Sequence, residues 1–209
     1  VAFGRSLLLP ALPEFTRRYP LIELDLRLND RVVDLVAERV DVALRVGPIR
    51  QAGLAARRVS QVSIVTCAAP AYLQDHGEPQ TPDDLRDHKL VGLTSPSGAP
   101  PEWTFPPPYT PKRLGLKFAM LFNSAEAPII AATAGLGITH TGDLLVAEYV
   151  GRGELKLILE DFVVPGPSVS LVYPSAGHQL AKVRVFSDFA ADLLLRWNVE
   201  VRRWIKQPP

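Results

Sequence analysis

The stretch FNSAEAPIIAATAGLGIT, residues 122–139, decides the fold that the sequence predicts. It follows an apolar, strand-like run at residues 114–121, turns at Asn123-Ser124, continues as a helical pattern and ends in a second strand. Asn123 or Ser124 fits the N-cap, where a side-chain oxygen accepts from first-turn N–H groups, and Gly135 fits a left-handed C-cap. A strand–helix–strand unit with such a polar start is suited to binding an anionic group.

Composition narrows the possible functions. The chain has 209 residues and 47% apolar content, enough to bury the core of one large domain or of two lobes. Its 23 Lys and Arg against 22 Asp and Glu give a net charge of +1, so we do not expect this chain itself to bind DNA. The single cysteine, Cys67, excludes an intramolecular disulfide, and the four histidines show no zinc-type spacing, so no metal or other cofactor is predicted.

The ends of the chain carry no targeting signal that we recognise. No apolar run is long enough for a membrane helix, and the first residues do not form a signal peptide, so we expect a cytoplasmic protein with no membrane partner. The chain opens in mid-pattern, with Val1-Ala2-Phe3 resembling the end of a strand and Gly4-Arg5-Ser6 the loop after it. We interpret it as a fragment of a longer polypeptide.

The first 50 residues predict alternating helices and strands. After Ser6, residues 7–19 form an amphipathic helix, and residues 22–28 alternate apolar and charged side chains as a strand with one buried face does. Asn29-Asp30 then caps a helix at residues 31–39, and residues 41–46 form a short strand. This order predicts a parallel sheet covered by helices.

Residues 51–209 predict a second set of helices and strands, after which the chain returns to the first set. Further helices are predicted at residues 71–76, after Thr81-Pro82, and at 142–153 and 179–205. Strands are predicted at 155–159 and 169–173, and residues 54–69 form either one long strand or a pair of strands. Residues 94–111 contain seven prolines and are predicted to be a surface excursion around Trp103 and Phe105, while residues 165–167 separate two strands. Crossovers near residues 66–70 and 165–170 then give one lobe of residues 1–66 plus 168–209 and another of residues 67–167, with a cleft between them.

Several segments together resemble the effector-binding domain of LysR-type transcriptional regulators: FGRSLLLPALPEFTRRYPLIELDLRLNDRVVDLVAERVDVALRVGPI, CAAPAYLQDHGEPQTPDDLRDHKLVG, WTF, FNSAEAPIIAATAGLGIT, GELKLIL and VSLVYPSAGHQLAKVRVFSDF. The resemblance covers nearly the whole chain. It implies an α/β fold of two Rossmann-like lobes with a double crossover, as in type II periplasmic binding proteins. It also implies an N-terminal winged helix-turn-helix domain outside this chain, through which alone DNA is bound, and a homodimer or, at full length, a tetramer.

Candidate effector-binding residues lie where strands of such a fold end and helices begin. They are Ser6, Asn29 and Arg45 in lobe one, Asn123, Ser124 and His140 in lobe two, and Thr66 and Cys67 at the crossover. His140-Thr141-Gly142 also stands where family members commonly have a proline.

Each candidate has a structural alternative. Ser6, Asn29, Asn123 and Ser124 are equally suited to helix capping. Arg45 either binds a carboxylate or pairs with Asp30 or Asp41 to brace a loop. His140 either bonds a ligand or is structural, and Cys67 is either a redox sensor or an inert buried thiol.

The sequence shows no nucleophile–base pair, paired carboxylates or dinucleotide fingerprint, so we do not expect an enzyme. The predicted function is the effector-sensing domain of a regulator, which binds a small, carboxylate-bearing molecule between two lobes and changes their relative angle. A solute-binding protein of a transport system is the alternative, because it has the same two-lobed fold. The residues before Val1 distinguish the two: a helix-turn-helix indicates a regulator and an export signal indicates transport.

Overall fold

The chain folds into two compact α/β units, one comprising residues Val1–Val62 and Pro167–Glu200 and the other built around Ser63–Gly166. The structure is a computed structural model that describes residues 1–49, 51–95, 98–175, 180–201 and 203. Two strands pass from one unit to the other, β2 (Leu54–Ala68) and β7 (Val164–Pro174). The boundaries fall at residues 62/63 and 166/167, beside the two crossovers that the sequence predicts.

The other elements follow in chain order. The strands are β1 (Ala43–Val46), β3 (Val91–Leu93), β4 (Met120–Phe122), β5 (Thr139–Gly142) and β6 (Lys156–Ile158). The helices are α1 (Leu9–Arg18), α2 (Pro70–His76), α3 (Pro111–Leu114), α4 (Ala127–Thr133), α5 (Asp143–Gly151) and α6 (Ala181–Val201). A π-helical turn at Gly4–Leu8 precedes α1, and 3₁₀ helices occupy Pro82–Asp87 and Glu160–Phe162. Among these described helices, none combines the length and apolarity needed to cross a bilayer.

The first unit has an aromatic core. Phe15 of α1 is 0% exposed, and its ring lies 5.0 Å from that of Phe189 and 5.5 Å from that of Phe186, both on α6. β1 pairs with β7 in antiparallel register, Arg45 opposite Ser170, and not in the parallel sheet that the helix–strand alternation predicts. Behind this pair, Leu171 packs with Ala190 and Ala191 of α6.

The second unit joins antiparallel and parallel strands. The end of β2 is flanked by β5 and β6, each antiparallel to it. β3 and β4 are parallel, and Leu90 bridges to Ile138 in parallel, so the chain from β4 through α4 to Ile138 forms the predicted strand–helix–strand unit around β3. Its core combines residues of many elements, among them Tyr72, Leu85, Leu90, Trp103, Leu114, Ile138 and Ile158.

The predicted strand at residues 22–28 is neither helix nor strand and has no sheet partner among the described residues. The alternation that predicted it is visible in burial, because Ile22, Leu24 and Leu26 are half-buried while Glu23, Asp25 and Arg27 are exposed. Alternating apolar and charged residues determine which face of a segment is covered. A ladder of backbone hydrogen bonds also needs a neighbouring strand.

The predicted helix at residues 31–39 is wrong. Asp34 Oδ1 accepts from the amides of Val36 at 2.9 Å and Ala37 at 3.1 Å, which caps a single turn. That turn ends at Arg39, whose φ of 53° is left-handed, and β-branched valines on both sides disfavour extending it as a helix. Leu35, 0% exposed, anchors the turn in the core.

The start of the chain also differs from the prediction. Residues 2–18 are continuous helix, so Val1–Phe3 do not end a strand, and Ser6 lies inside the helix and is not its N-cap. The Ser6 hydroxyl donates to the carbonyl of Ala2 at 2.9 Å, one turn earlier.

The helix of the central stretch begins later than predicted and ends as predicted. α4 starts at Ala127 with Glu126 at the N-cap, so Asn123 and Ser124 lie in a bend before it and neither caps it. At its other end Gly135 has a φ of 76°, Gly135 N–H donates to Ala132 O, and Leu136 N–H donates to Ala131 O, both at 3.0 Å. This is a Schellman C-cap, which confirms the role predicted for Gly135.

Three further element boundaries differ from those that the sequence predicts. The apolar run at residues 114–121 is α3 followed by a loop, and only Met120–Phe122 is strand. Pro165 to Pro167 lie within β7 and do not separate two strands. The last helix is Ala181–Val201, and the residues predicted at its ends, 179, 202, 204 and 205, lie outside the described part of the chain.

The buried Phe15 ring provides a test of the first unit. We expect Phe15→Ala to lower the free energy of unfolding by about 3–5 kcal/mol, because it removes a large ring and leaves a cavity between α1 and α6. Leu21→Ala is the control, because Leu21 is 96% exposed and its truncation should change stability by less than about 0.5 kcal/mol. Guanidinium unfolding followed by circular dichroism measures both, and equal losses for the two variants would contradict the assigned core.

Candidate functional site

Three of the predicted site residues meet where β2 pairs with β5 in the second unit. Thr66 lies opposite His140, and Cys67 lies opposite Thr139. On its other side, β2 pairs Thr66 with Ile158 and Cys67 with Leu157 of β6. The backbone at this point is therefore fixed by strands on both edges.

The His140 ring is held by two hydrogen bonds. Its Nε2 lies 3.1 Å from the carbonyl oxygen of Thr104, which can only accept, so Nε2–H is the donor. Its Nδ1 is then the acceptor for the Thr66 hydroxyl, 2.9 Å away. The imidazole is therefore the neutral Nε2–H tautomer, and both of its nitrogens have partners.

Aromatic side chains enclose the same ring. The centroid of Phe105 lies 4.6 Å from that of His140, and the centroid of Trp103 lies 5.2 Å from it. Burial lowers the pKa of His140 from 6.5 to about 4, and the hydrogen bond to Thr104 offsets only part of this effect. The ring is thus uncharged at neutral pH.

The Thr66–His140 pair has the hydrogen bond of a nucleophile and its base but not the access. Thr66 is 2% exposed, so no substrate carbonyl can approach its hydroxyl without rearrangement of the sheet. The third partner is a backbone carbonyl, and no carboxylate orients the imidazole. These hydrogen bonds instead hold β2, β5 and the segment at Thr104 together.

Cys67 is enclosed beside this pair. The residue is 0% exposed, and burial raises the pKa of its thiol to about 12. The thiolate that reacts with oxidants is therefore scarce at neutral pH. This favours the inert thiol over the redox sensor.

Asn123 and Ser124 are the accessible polar candidates of the second unit. They follow directly on β4, with Asn123 exposed and Ser124 half-buried. The Ser124 carbonyl accepts from the Ala127 amide at 3.3 Å, which forms the bend into α4. Their side chains do not serve as caps of α4, so capping does not account for them.

In the first unit, Arg45 and Asn29 brace the chain. Arg45 donates to the carbonyl of Val33 at 2.5 Å and to Gln51 Oε1 at 2.7 Å. It therefore braces a loop, but through these two partners and not through the predicted Asp30 or Asp41. The guanidinium has five N–H donors, so these two bonds leave others for a ligand. Asn29 is exposed and its Oδ1 accepts from the Arg31 amide at 2.9 Å, a local turn in place of a helix cap.

Sequence reasoning missed that Trp103 and Phe105 pack against His140. Trp103 and Phe105 are 4% and 8% exposed, although their proline-rich segment was predicted to lie on the surface. The signal was present in the two large apolar rings themselves, since such side chains are seldom left in water without a reason. Within the described part of the chain, no three His, Cys, Asp or Glu side chains are grouped so as to hold a metal ion.

Comparisons with known proteins agree on one family. The model of the LysR substrate binding domain matches residues 1–194. The uncharacterised HTH-type transcriptional regulator YhjC of Escherichia coli is 35% identical over 204 residues, which cover 91% of this chain and 64% of that protein. The regulator CrgA of Neisseria meningitidis is 30% identical over 189 residues, covering 90% of this chain and 62% of that protein.

Solved structures show the same fold. The regulatory domain of CrgA matches with a TM-score of 0.82 and 29% identity over 92% of this chain and 94% of that one. The full-length virulence activator AphB of Vibrio cholerae matches with a TM-score of 0.71 and 26% identity over 91% of this chain and 64% of that one. The predicted fold class, a two-lobed α/β fold of the type II periplasmic-binding-protein kind, is confirmed by these matches.

The neutral state of His140 predicts a dependence of stability on pH. The folded pKa is about 4 and the unfolded value is 6.5, so between these values the unfolded chain binds a proton that the folded chain does not. Stability is therefore complete above about pH 6.5 and falls as the pH drops towards 4, by up to about 3 kcal/mol. The pKa of His88 is also lowered, mainly by burial, so the contribution of His140 must be isolated with a variant.

The variant His140→Gln isolates the contribution of His140 to the pH dependence of stability. At pH 7.5 the variant should be less stable than the parent, and the difference should shrink as the pH falls from 6.5 to 4.5, measured by urea unfolding at each pH. A stability difference that stays constant across this range would show that His140 is not held neutral.

Burial of Cys67 predicts a protected thiol. In the native chain at pH 8, we expect a thiol-reactive disulfide reagent to react roughly a hundredfold more slowly than in the unfolded chain. The absorbance of the released thiolate measures both rates. Native reaction at the rate of the unfolded chain, or oxidation of Cys67 by dilute peroxide without unfolding, would restore the redox alternative.

Proposed function

We propose a function for this chain from the family to which it belongs, that of the LysR substrate binding domains. In this proposal the chain is the effector-sensing domain of a LysR-type transcriptional regulator, and it binds a small, carboxylate-bearing molecule. The chain spans less than two thirds of the length of the first curated relatives that it matches, with 64%, 62% and 60% of those proteins covered. We assign DNA binding to an N-terminal helix-turn-helix domain outside this chain.

The observation that carries the proposal is the match of the family model to residues 1–194, which include both crossover strands and most of each unit. These relatives are HTH-type transcriptional regulators, which favours sensing over solute transport and over catalysis. We further propose a cytoplasmic homodimer, with a tetramer at full length.

We divide the candidate effector contacts into two groups. Asn123, Ser124, Asn29 and the remaining N–H groups of Arg45 are accessible or half-buried donors suited to a carboxylate. Ser6, Thr66, Cys67 and His140 are engaged with protein groups or buried, so we assign them to support of the site.

Signalling then requires a difference in affinity. An effector shifts an equilibrium between two arrangements of the units only if it binds one of them more tightly. β2 and β7 are the connections through which such a change passes, because each strand belongs to both units.

A thermal-shift screen of small organic acids tests the proposal. A ligand that raises the melting temperature of the parent should lose at least about tenfold in affinity in Asn123→Ala and in Arg45→Ala, because each substitution removes donors to its carboxylate. Lys112→Ala, an exposed cation on α3, is the matched control for loss of a positive charge and should bind as the parent does. A ligand that stabilises all three variants as much as the parent would show that this site is wrong.

A further inference from the structure

An open pocket lies on the second unit, beside the strand β6 (Lys156–Ile158). Its volume is about 370 Å³, which is within the range of small-molecule sites in proteins. The pocket is bordered by the first residue of α2, by the end of α5 with the turn after it, and by β6 with the start of the following 3₁₀ helix. Its described lining residues include none of the candidate effector contacts.

Apolar side chains line much of this pocket. Leu155 and Leu157 are 2% and 8% exposed, and Val150 of α5 is half-buried. Gly153, whose φ of 71° is left-handed, turns the chain between α5 and β6. It also leaves space open, because a β-carbon at this position would have no atom within 4 Å other than those of its chain neighbours. The pocket can therefore take up the apolar body of a ligand.

One carboxylate that lines the pocket has no counter-charge. Glu160 is half-buried, and no described residue provides a cation or a hydrogen-bond donor to its side chain. The residue before it, Leu159, has a φ of 53°, which is uncommon for a residue other than glycine, and Glu160 then begins the 3₁₀ helix beside the pocket. Strained backbone of this kind is concentrated at binding sites.

The charges around the pocket favour a cationic ligand. Lys156, the one cation among the described lining residues, is engaged in an ion pair with Glu78. Arg152, beside Gly153, is already paired with two other carboxylates. Together with Glu160 this gives four carboxylates against two cations. The carbonyl end of α5, which borders the pocket, adds negative partial charge.

We propose that this pocket binds a small organic amine, whose ammonium group pairs with Glu160 and whose apolar body packs on Val150, Leu155 and Leu157. An ammonium beside a half-buried carboxylate forms a charge-assisted hydrogen bond, which is stronger than a hydrogen bond between neutral groups. A carboxylate-bearing molecule, the class that we propose for the effector, is repelled by the same charges.

This inference goes beyond the proposed function, because it gives the second unit a ligand site of its own. β6 pairs with the end of β2, with Lys156 opposite Ala68, and Pro70 of the pocket follows two residues after Ala68. A bound amine therefore contacts the chain at β6 and directly after β2. The site does not depend on the identity of the effector or on the DNA-binding role, and it stands or fails separately from them.

Amide chemical shifts of the isotope-labelled 209-residue chain test the inference. The probes are benzylamine, phenethylamine and cyclohexylmethylamine at pH 7, each compared with the alcohol of the same carbon skeleton. We expect at least one amine to give saturable shifts centred on Gly153, Leu155 and Leu157, with an affinity at least about fivefold above that of its alcohol. The amides of Asn123 and Ser124 serve as the unchanged reference.

The variant Glu160→Gln separates the effect of the charge from that of the apolar body. It should lower the affinity for the amine by at least about fivefold and leave that for the alcohol unchanged, because it removes the carboxylate and keeps the side-chain shape. Asp161→Asn removes the exposed carboxylate of the next residue and is the matched control, which should bind the amine as the parent does.

Four results would overturn the inference. They are the absence of saturable shifts in the parent with all three amines up to about 10 mM, equal affinity for an amine and its alcohol, unchanged amine affinity in Glu160→Gln, and an equal loss of amine affinity in Asp161→Asn. The last result would assign the attraction to the general negative field of this surface and not to Glu160.

Discussion

The fold depends on the hydrogen bonding of β2, a 15-residue strand that belongs to both units. Exposure falls along it: residues in its first half are largely accessible, whereas the last four are buried. The buried end is paired on both edges, with β5 and with β6. Because every backbone group of that end needs a partner in the absence of water, the three strands have little freedom to shift register.

This constraint explains the behaviour of the site residues on β2. Thr66 and Cys67 lie at the doubly paired end, so their positions are set by the sheet and their side chains are withdrawn from solvent. The Thr66 hydroxyl then needs an internal partner, which His140 supplies from the opposite position on β5. The cost of that arrangement is a histidine that must stay neutral, as its lowered pKa indicates. Thr66 and His140 are therefore engaged in holding β2 and β5 together.

The sequence predicted features that a few adjacent residues determine. A short helix was predicted to begin at Thr81-Pro82, and a 3₁₀ helix does begin at Pro82, with Asp84 Oδ2 accepting from the Thr81 amide at 2.8 Å. Gly135 ends α4 as predicted. Both features depend on interactions within six residues. The misplaced start of α4 was also local but was overlooked. With Ser124 as N-cap, Pro128 would be the fourth helical residue and would remove an intrahelical hydrogen bond, whereas with Glu126 it falls in the tolerant first turn.

Features that depend on distant partners were not predictable from single patterns. The alternation at residues 22–28 correctly gave the two faces, but pairing depends on a neighbour that no pattern within the segment specifies. Asn29 accepts only from the nearby Arg31 amide, whereas Asp34 caps the turn that carries the buried Leu35. Similarly, His140 was identified as a candidate while its partner Thr104, 36 residues away, was not, because the intervening prolines indicated a surface loop.

The hydrogen bond between His140 and Thr104 connects distant parts of the second unit. It joins the crossover strand β2, through Thr66, to the segment that carries Trp103 and Phe105. Because both imidazole nitrogens are occupied, a displacement of that segment either breaks the hydrogen bond to the exposed Thr104 or is carried through His140 to Thr66. His140 is therefore the link between the two aromatic side chains and a strand that belongs to both units.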